Sequence, residues 1–352
     1  MSGGVDSSVA AALLKQEGHE VTGVTMKIWD GTGIFPQIPK HHGCYGRGEE
    51  EDIADARTVA EKLNISFHVF DLTREYRSIV LDYVRREYHR GRTPNPCLIC
   101  NAQIKFGTLI QKVREGNIGF DYFATGHYVR KEYDARQQRY LLKKSKDLTV
   151  DQSYFLFDLK QEQLGCALFP VGELTKRGVR DVAAKWGLSV AEKPKSQNFI
   201  SGGHECILDP ARSGAVQDKA GHILGEHRGT QFYTIGQRHG LGISSSQPLF
   251  VTAIDGEHNV LTIGTRQELY RREFVVSELN WIAYPAITEP ITASVKIRYR
   301  HPGAKALIIP SDNEQVSVIF AKPQMAITPG QAAVFYNGDT VIGGGIIDHI
   351  KV

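Results

Sequence analysis

The sequence has no apolar run near the ~20 residues that a bilayer-crossing helix needs. Its opening, MSGGVDSSVA, lacks a basic stretch followed by an apolar one, so neither a membrane span nor a secretory signal is read. Cysteine is scarce. Five in 352 residues is a low, odd count, which argues against a disulfide scaffold and for a reducing compartment, the cytoplasm. An excess of one charge is missing too: 42 basic against 39 acidic residues leave +3, which permits a polyanionic partner without requiring one. What remains is ordinary for a soluble globular protein, 41% hydrophobic and 23% charged. At roughly 150 residues per domain, the length implies two or three domains.

Residues 1–200 alternate helix and strand patterns. Helices are expected over Val5–Lys15, Glu50–Leu63, Arg74–Tyr88 and Ile104–Arg114, and strands over Val21–Ile28, Phe67–Phe70 and Tyr122–Thr125. That alternation predicts an α/β domain with a doubly wound parallel sheet. Beyond residue 200 come Gly-rich turns and short alternating runs. They predict a small β-rich linking domain over 201–275 and an antiparallel β-barrel over 276–352.

The most informative stretch is Ser2-Gly3-Gly4-Val5-Asp6-Ser7-Ser8. Adjacent glycines let the backbone approach a ligand and take positive φ. A helix follows at once, so its free N–H groups and positive dipole end face the loop. This predicts a pyrophosphate cradle, with Asp6 placed to hold magnesium or orient a nucleotide. No lysine follows as in GxxxxGK[ST], and the pattern is not GxGxxG. The loop reads as a strand-to-helix turn with no strand ahead of it, so a displaced or trimmed start is expected.

A second stretch is Thr93-Pro94-Asn95-Pro96-Cys97-Leu98-Ile99-Cys100-Asn101. CxxC brings two sulfurs within reach of each other or of one metal. With no second CxxC, a four-cysteine zinc site is not expected. On the pair alone, sulfur chemistry and two plain buried thiols stand level.

SGGVDSS resembles the loop of the N-type ATP pyrophosphatases, which cleave ATP between the α and β phosphates. TPNPCLICNAQIKFG then resembles the catalytic segment of the tRNA-uridine 2-sulfurtransferases. Further blocks agree in order along nearly the whole chain: Gly48–Ile53, Ala124–Tyr128, Asp151–Phe155, Phe169–Leu174, Tyr233–Arg238, Lys296–Arg300 and Pro329–Tyr336. The resemblance implies that ATP, with Mg2+, adenylates O2 of the tRNA wobble uridine, and that sulfur from a cysteine persulfide or an iron–sulfur cluster displaces AMP. It implies Cys100, Cys97 and Asp6 as catalytic residues, and tRNA and a sulfur donor (a protein or a sulfide source) as partners.

The chain departs from that family at one point. Many relatives carry Asp at the place of Cys97 and a second catalytic cysteine where Ile200 or Ser201 stands here. Cys206 or Cys44 is the candidate substitute, or Cys97 and Cys100 resolve each other. Three cysteines holding a [4Fe-4S] cluster with one open iron is a third option, with Cys97 and Cys100 as ligands and Cys44, or else Cys206, as the third. Cys166 is expected in the core.

Ser2 to Ser8, Met26 and Gly126 are the expected nucleotide contacts, Gly126 because ligands bind beyond strand ends in open α/β sheets. Asp151, Gln152 and Lys105 are expected at the substrate. Arg298 and Arg300, read as alternating on a barrel strand, are expected to grip tRNA. Arg74, Arg77, Arg85, Arg86, Arg90 and Arg92 form a basic helix, with Lys193 and Lys195 beyond it, read equally as a phosphate-backbone footprint or a solvated face. His41 and His42 give no metal signature. A thiolating enzyme of free nucleobases is the competing activity; the basic helix and the C-terminal barrel favour tRNA. A non-catalytic nucleotide or iron–sulfur binding protein is the third class.

Overall fold

A computed structural model describes residues 1–32, 43–193, 198–311 and 314–351. His41, His42 and Lys195 lie outside these. The chain divides into two compact units, each discontinuous in sequence. The first comprises Met1–Val80, Cys97–Cys206 and Asp339–Val341; the second comprises Leu81–Pro96, Ile207–Gly338 and Ile342–Val352.

The first unit is α/β. Helix α1 (Val5–Gln16) starts directly after the glycine loop and buries Val5, Val9, Ala10, Ala12 and Leu14. Helix α2 (Glu49–Lys62) carries four acidic residues in its first turn, matched to the positive end of its dipole. Strands β1 (Thr22–Lys27) and β3 (Ser66–Asp71) pair in parallel, as do β2 (Gly43–Tyr45) with β8 (Asn198–Ile200) and β4 (Phe123–Ala124) with β7 (Ala167–Leu168). Among the described residues these are three separate parallel ladders. An unforeseen antiparallel hairpin, β5 (Val129–Asp134) and β6 (Arg139–Lys144), follows the strand that carries Ala124. Its apolar residues Val129, Tyr133, Tyr140 and Leu142 share one face with Lys131 and Lys144, and these lysines interrupt the hydrophobic alternation. Thr340 pairs with Lys143 of this hairpin.

Two expected helices are corrected. The expected helix Arg74–Tyr88 is Thr73–Tyr76, a π segment Arg77–Leu81 and then Asp82–His89. The helix expected from Ile104 begins at Pro96 instead: Pro96–Ile99, a π segment Cys100–Thr108, then Leu109–Glu115. Proline suits a first helical position, where its missing N–H costs nothing. The widened π ladder is held by a side chain from outside. Gln163 Nε2 donates to the carbonyls of Ala102 and Phe106, both at 2.9 Å. Asn101, buried, donates from Nδ2 to the Phe155 carbonyl at 3.1 Å. Inserted side-chain bonds of this kind distort a helical ladder.

The second unit is β-rich. Strands β9 (Gly214–Gln217), β10 (Ile223–His227), β11 (Phe250–Asp255) and β12 (Val260–Gly264) form one sheet in the order β10-β9-β12-β11. Strands β13 (Tyr270–Trp281), β14 (Ile291–Lys296), β15 (Ala304–Pro310), β16 (Val316–Met325), β17 (Ala332–Asn337) and β18 (Thr340–Ile350) run in the order β13-β16-β15-β14-β17-β18. The pairing of β18 back onto β13 closes them into an antiparallel barrel. Phe274, Val295, Ile308, Val318, Phe320 and Phe335 fill it. Arg298 and Arg300 do not alternate on a strand. They occupy the turn after β14, and Arg298 donates to the Met325 carbonyl at 3.1 Å.

Phe320 is fully buried in the barrel. Phe320→Ala is expected to cost about 3–5 kcal/mol of unfolding free energy, from lost burial plus the cavity left behind. Urea titration followed by fluorescence checks this; a change under ~1 kcal/mol contradicts a close-packed barrel.

Candidate active site

The glycine loop is built by backbone packing. Gly3 has φ +67°, and a Cβ there would overlap the carbonyl oxygen of Asp52 in α2. Gly126, after β4, lies flat on the loop: a Cβ there would meet the Asp6 carbonyl carbon and the Ser7 nitrogen at 2.5 Å. Gly4 is the N-cap of α1 and no side chain caps it. The serines knit the turn. Ser2 N–H donates to Ser7 Oγ at 3.1 Å, and the Ser7 and Ser8 hydroxyls donate to the Gly4 carbonyl at 3.2 and 2.9 Å. The result is a helix N-terminus whose donors are not consumed by a side-chain cap, the arrangement that binds phosphates.

Asp6 faces partners that the sequence reading missed. Tyr128 OH donates to Asp6 Oδ1 at 2.6 Å, and Lys176 Nζ donates to the same oxygen. Burial and the Asp6 carboxylate push the Tyr128 phenol well above its usual value. Lys176 was legible as an anomaly. It sits with Arg177 in the first turn of helix Lys176–Lys185, which has no acidic residue there, and cations are disfavoured at that dipole end.

Cys97 and Cys100 lie within the start of the helix at Pro96 rather than ahead of one. Cys100 is buried and Cys97 half-buried. Burial pushes the Cys97 thiol up to about 12, with further contributions from Cys44 and Cys100, while Lys105 opposes. Burial likewise raises Cys100, and Lys105 again opposes. A helix N-terminus lowers thiol pKa values, but burial wins here. Cys44, exposed on β2, belongs to the same neighbourhood: the phenol of Tyr76 is raised by burial and by Cys100, Cys44 and Cys97 together. Cys206 stands apart, raised by burial and Glu205 with no cysteine among its causes. Cys166, half-buried, bonds locally, its Sγ donating to the Gln163 carbonyl at 3.4 Å.

One ammonium links the thiols to the loop. Lys105 donates to Asn101 Oδ1 at 2.9 Å. Its charge acts on Cys97 and Cys100, and also on the amine of Met1, pushed down to about 5 mainly by burial, and on the half-buried imidazole of His127, held well below its usual value. Lys105 follows Cys100 by five residues, about one turn of a π ladder. The π winding therefore brings it under the thiols.

Other expected residues have different surroundings. Asp151 is buried; it accepts Ser145 N–H at 3.1 Å and the Ser153 hydroxyl at 2.9 Å. Gln152 Oε1 accepts the Tyr128 N–H at 2.9 Å, beside the Asp6 partner. Met26 lies in β1, in register with Phe70. The basic helix is largely paired: Arg77 with Asp30, Arg85 with Asp82, Arg90 with Glu87, and Arg92 with Glu87 and Asp348. Lys193 bridges Asp52 and Asp55 of α2. Among the described residues, no three His, Cys, Asp or Glu side chains group closely enough to hold a metal ion.

A glycine turn at the head of a helix in an α/β body, sharing one unit with a lysine-linked thiol group, is the layout of a nucleotide-binding domain of the HUP class. A family model described as the tRNA methyl transferase HUP domain matches residues 1–201. One for the tRNA methyl transferase PRC-barrel domain matches 206–265, and one for the aminomethyltransferase beta-barrel domain matches 271–347. The chain is 46% identical over 350 residues to the tRNA-specific 2-thiouridylase MnmA of Endomicrobium trichonymphae, covering 99% of this chain and 97% of the relative. It is 47% identical over 358 residues to the tRNA-specific 2-thiouridylase MnmA of Geotalea uraniireducens, covering 99% and 94%. The chain belongs to the tRNA-specific 2-thiouridylase family.

Lys105 stabilises the neighbouring thiolates, so removing its charge raises their pKa values further. Lys105→Met is expected to slow iodoacetamide alkylation of Cys97 and Cys100 at pH 8, and in the parent protein the Cys97 rate should keep climbing towards about pH 12. Peptide mass spectrometry over a pH series checks both. Equal rates with and without Lys105 contradict the link.

Proposed function

We propose that the chain is an ATP-dependent tRNA-uridine 2-sulfurtransferase that thiolates the wobble uridine at C2. The observation carrying this reading is the glycine turn at the head of an uncapped helix, with Gly126 packed against it, in one compact unit with the Cys97–Cys100 pair. A uridine carbonyl oxygen is a poor leaving group, and ATP supplies the adenylyl group that makes it a good one. Ser2 to Ser8 cradle the phosphates, with Gly126 closing the loop and Met26 at the base. Asp6 offers Mg2+ the carboxylate oxygen type it prefers. Asp151 and Gln152 brace the floor through Ser145, Ser153 and Tyr128.

Sulfur arrives as the outer sulfur of a donor protein's persulfide: the Cys100 thiolate attacks that sulfur, the donor's own thiolate leaves, and Cys100 carries the persulfide. Its outer sulfur attacks C2 and AMP leaves. The Cys97 thiolate then attacks the Cys100 sulfur, a Cys97–Cys100 disulfide forms, and the product keeps the outer sulfur. An external thiol reductant resets the pair. Burial raises both thiols, and the charge of Lys105 opposes that rise and so favours the attacking thiolate.

A second reading has Cys44, Cys97 and Cys100 hold a [4Fe-4S] cluster. What favours it is the shared electrostatic neighbourhood of these three thiols, and the pairing of β2 with β8, in which Tyr45, the residue after Cys44, is in register with Ile200. The thiols as placed do not form a ligating triad among the described residues. On either reading, residues 1–200 carry the chemistry, while 201–275 and 276–352, with Arg298 and Arg300, serve tRNA.

Cys100→Ser is expected to abolish thiolation, read as loss of the mercury-retarded tRNA band on a polyacrylamide gel, while ATP binding persists. Retained thiolation removes Cys100 from the mechanism. Asp6→Ala is expected to abolish tRNA-dependent adenylation, measured as ATP–pyrophosphate exchange. Iron and acid-labile sulfide in anaerobically prepared protein decide between the two sulfur carriers. A fully active, iron-free sample leaves the persulfide.

A further inference from the structure

The loop that leads into β11 runs through Arg238, His239, Gly240 and Gly242 and takes no part in the chemistry above. We infer that this loop, residues 238–249 of the second unit, holds a backbone phosphate of the tRNA. The inference rests on the tRNA part of the reading above and adds a site to it.

The donors of the loop are unspent. Among the described residues, no main-chain N–H from Arg238 to Ser246 has a hydrogen-bond partner, and neither the Arg238 guanidinium nor the His239 ring has one. Residues 227–254 carry no Asp or Glu to repel an anion. The loop is nevertheless firmly held. At its base, the Gly236 N–H donates to the Val251 carbonyl at 2.8 Å and the Val251 N–H donates to the Gln237 carbonyl at 2.9 Å. The Gln237 amide accepts the Thr234 N–H at 3.1 Å and donates to the His239 carbonyl at 3.0 Å. Leu241 is buried in the core of the four-stranded sheet, and a Cβ on Gly225 of β10 would strike Ile243 at 2.5 Å. Gly240 and Gly242, at φ +76° and +68°, let the chain turn between these anchors. Residues 238–245 and 247–249 thereby wall a cavity of about 340 Å³.

Consecutive free N–H groups in a turning backbone make an anion-binding concavity, and a guanidinium binds two phosphate oxygens at once. A phosphodiester carries one negative charge, which the one arginine matches. Arg238 and His239 are exposed, open to a long polyanion. The foot of the loop favours RNA as the carrier of that phosphate. There the Thr93 hydroxyl donates to Thr234 Oγ1 at 3.4 Å. Thr93 precedes Cys97 by four residues, so the loop borders the stretch of chain that leads into the thiol pair.

The test is binding of an unmodified tRNA transcript to the whole protein, by filter retention over a salt series. Arg238→Met is expected to weaken tRNA about 5- to 10-fold at ~0.1 M salt. It should also flatten the slope of log affinity against log salt by about 0.7–0.9, the share of one released counterion. Arg238→Lys, which keeps the charge, is expected to keep the slope. Gly242→Val, whose branched side chain disfavours positive φ, displaces the main-chain donors and is expected to weaken tRNA at an unchanged slope. Parent-like binding in a folded Arg238→Met or Gly242→Val protein, or a slope that does not flatten in Arg238→Met, would overturn the site. Calorimetric titration with inorganic phosphate is the second arm. Heat that Arg238→Met abolishes while tRNA binding is untouched assigns the loop to a free phosphate and overturns its role in holding RNA. Parent protein that retains no tRNA would instead remove the tRNA reading itself.

Discussion

Backbone meets backbone at two places beside the phosphate loop, and neither leaves room for a side chain. Gly3 turns with positive φ against the Asp52 carbonyl of α2, and Gly126 lies against the peptide joining Asp6 to Ser7. These contacts fix where α1 begins, and therefore where its free N–H groups point. They also fix the carboxylate of Asp6 where Tyr128 and Lys176 reach it. A methyl group at either glycine would push the loop off α2 or off the strand end. The loop's shape is thus set by steric exclusion before any ligand is considered.

The sulfur half depends on a different device. The π winding from Cys100 to Thr108, held open by the amide of Gln163, turns Lys105 under the thiols. Burial alone would leave Cys97 and Cys100 inert, because a thiol in apolar surroundings keeps its proton. A single cation close by opposes that without exposing the sulfurs to water. Tyr76, stacked on Tyr45 at 5.5 Å, walls the same neighbourhood and is itself fully buried. Burial and the nearby ammonium therefore act on the two thiols in opposite directions.

Much of this was legible in the sequence, for identifiable reasons. SGGVDSS announces a turn and a helix start because Gly and Ser have few other uses in that order. The helix and strand alternation up to residue 200 and the β-rich remainder follow from periodicity. The start of the thiol helix was not legible, because Pro94 and Pro96 read as a stiff approach while Pro96 is in fact the first helical residue. The hairpin Val129–Lys144 was hidden because Lys131 and Lys144 interrupt its apolar face. Arg298 and Arg300 alternate in sequence yet sit in a turn, since Gly303 and Pro302 end the strand region early. Gln163 and Tyr76 reach their places from distant segments, and no local pattern encodes such long-range delivery; for Lys176 the only local sign was a cation in the first turn of its helix. The inclusion of residues 81–96 in the second unit is likewise a tertiary fact.

On the proposed function, activation at the glycine loop and sulfur transfer at the cysteines are two halves of one reaction on one uridine. The most direct measurement incubates the protein with an unmodified tRNA transcript, magnesium ATP and a sulfur source, then counts AMP and 2-thiouridine together by mass spectrometry. One AMP for each 2-thiouridine, confined to the wobble position, is the predicted result. 2-Thiouridine formed without AMP, or AMP released with no thiolated tRNA, would contradict it.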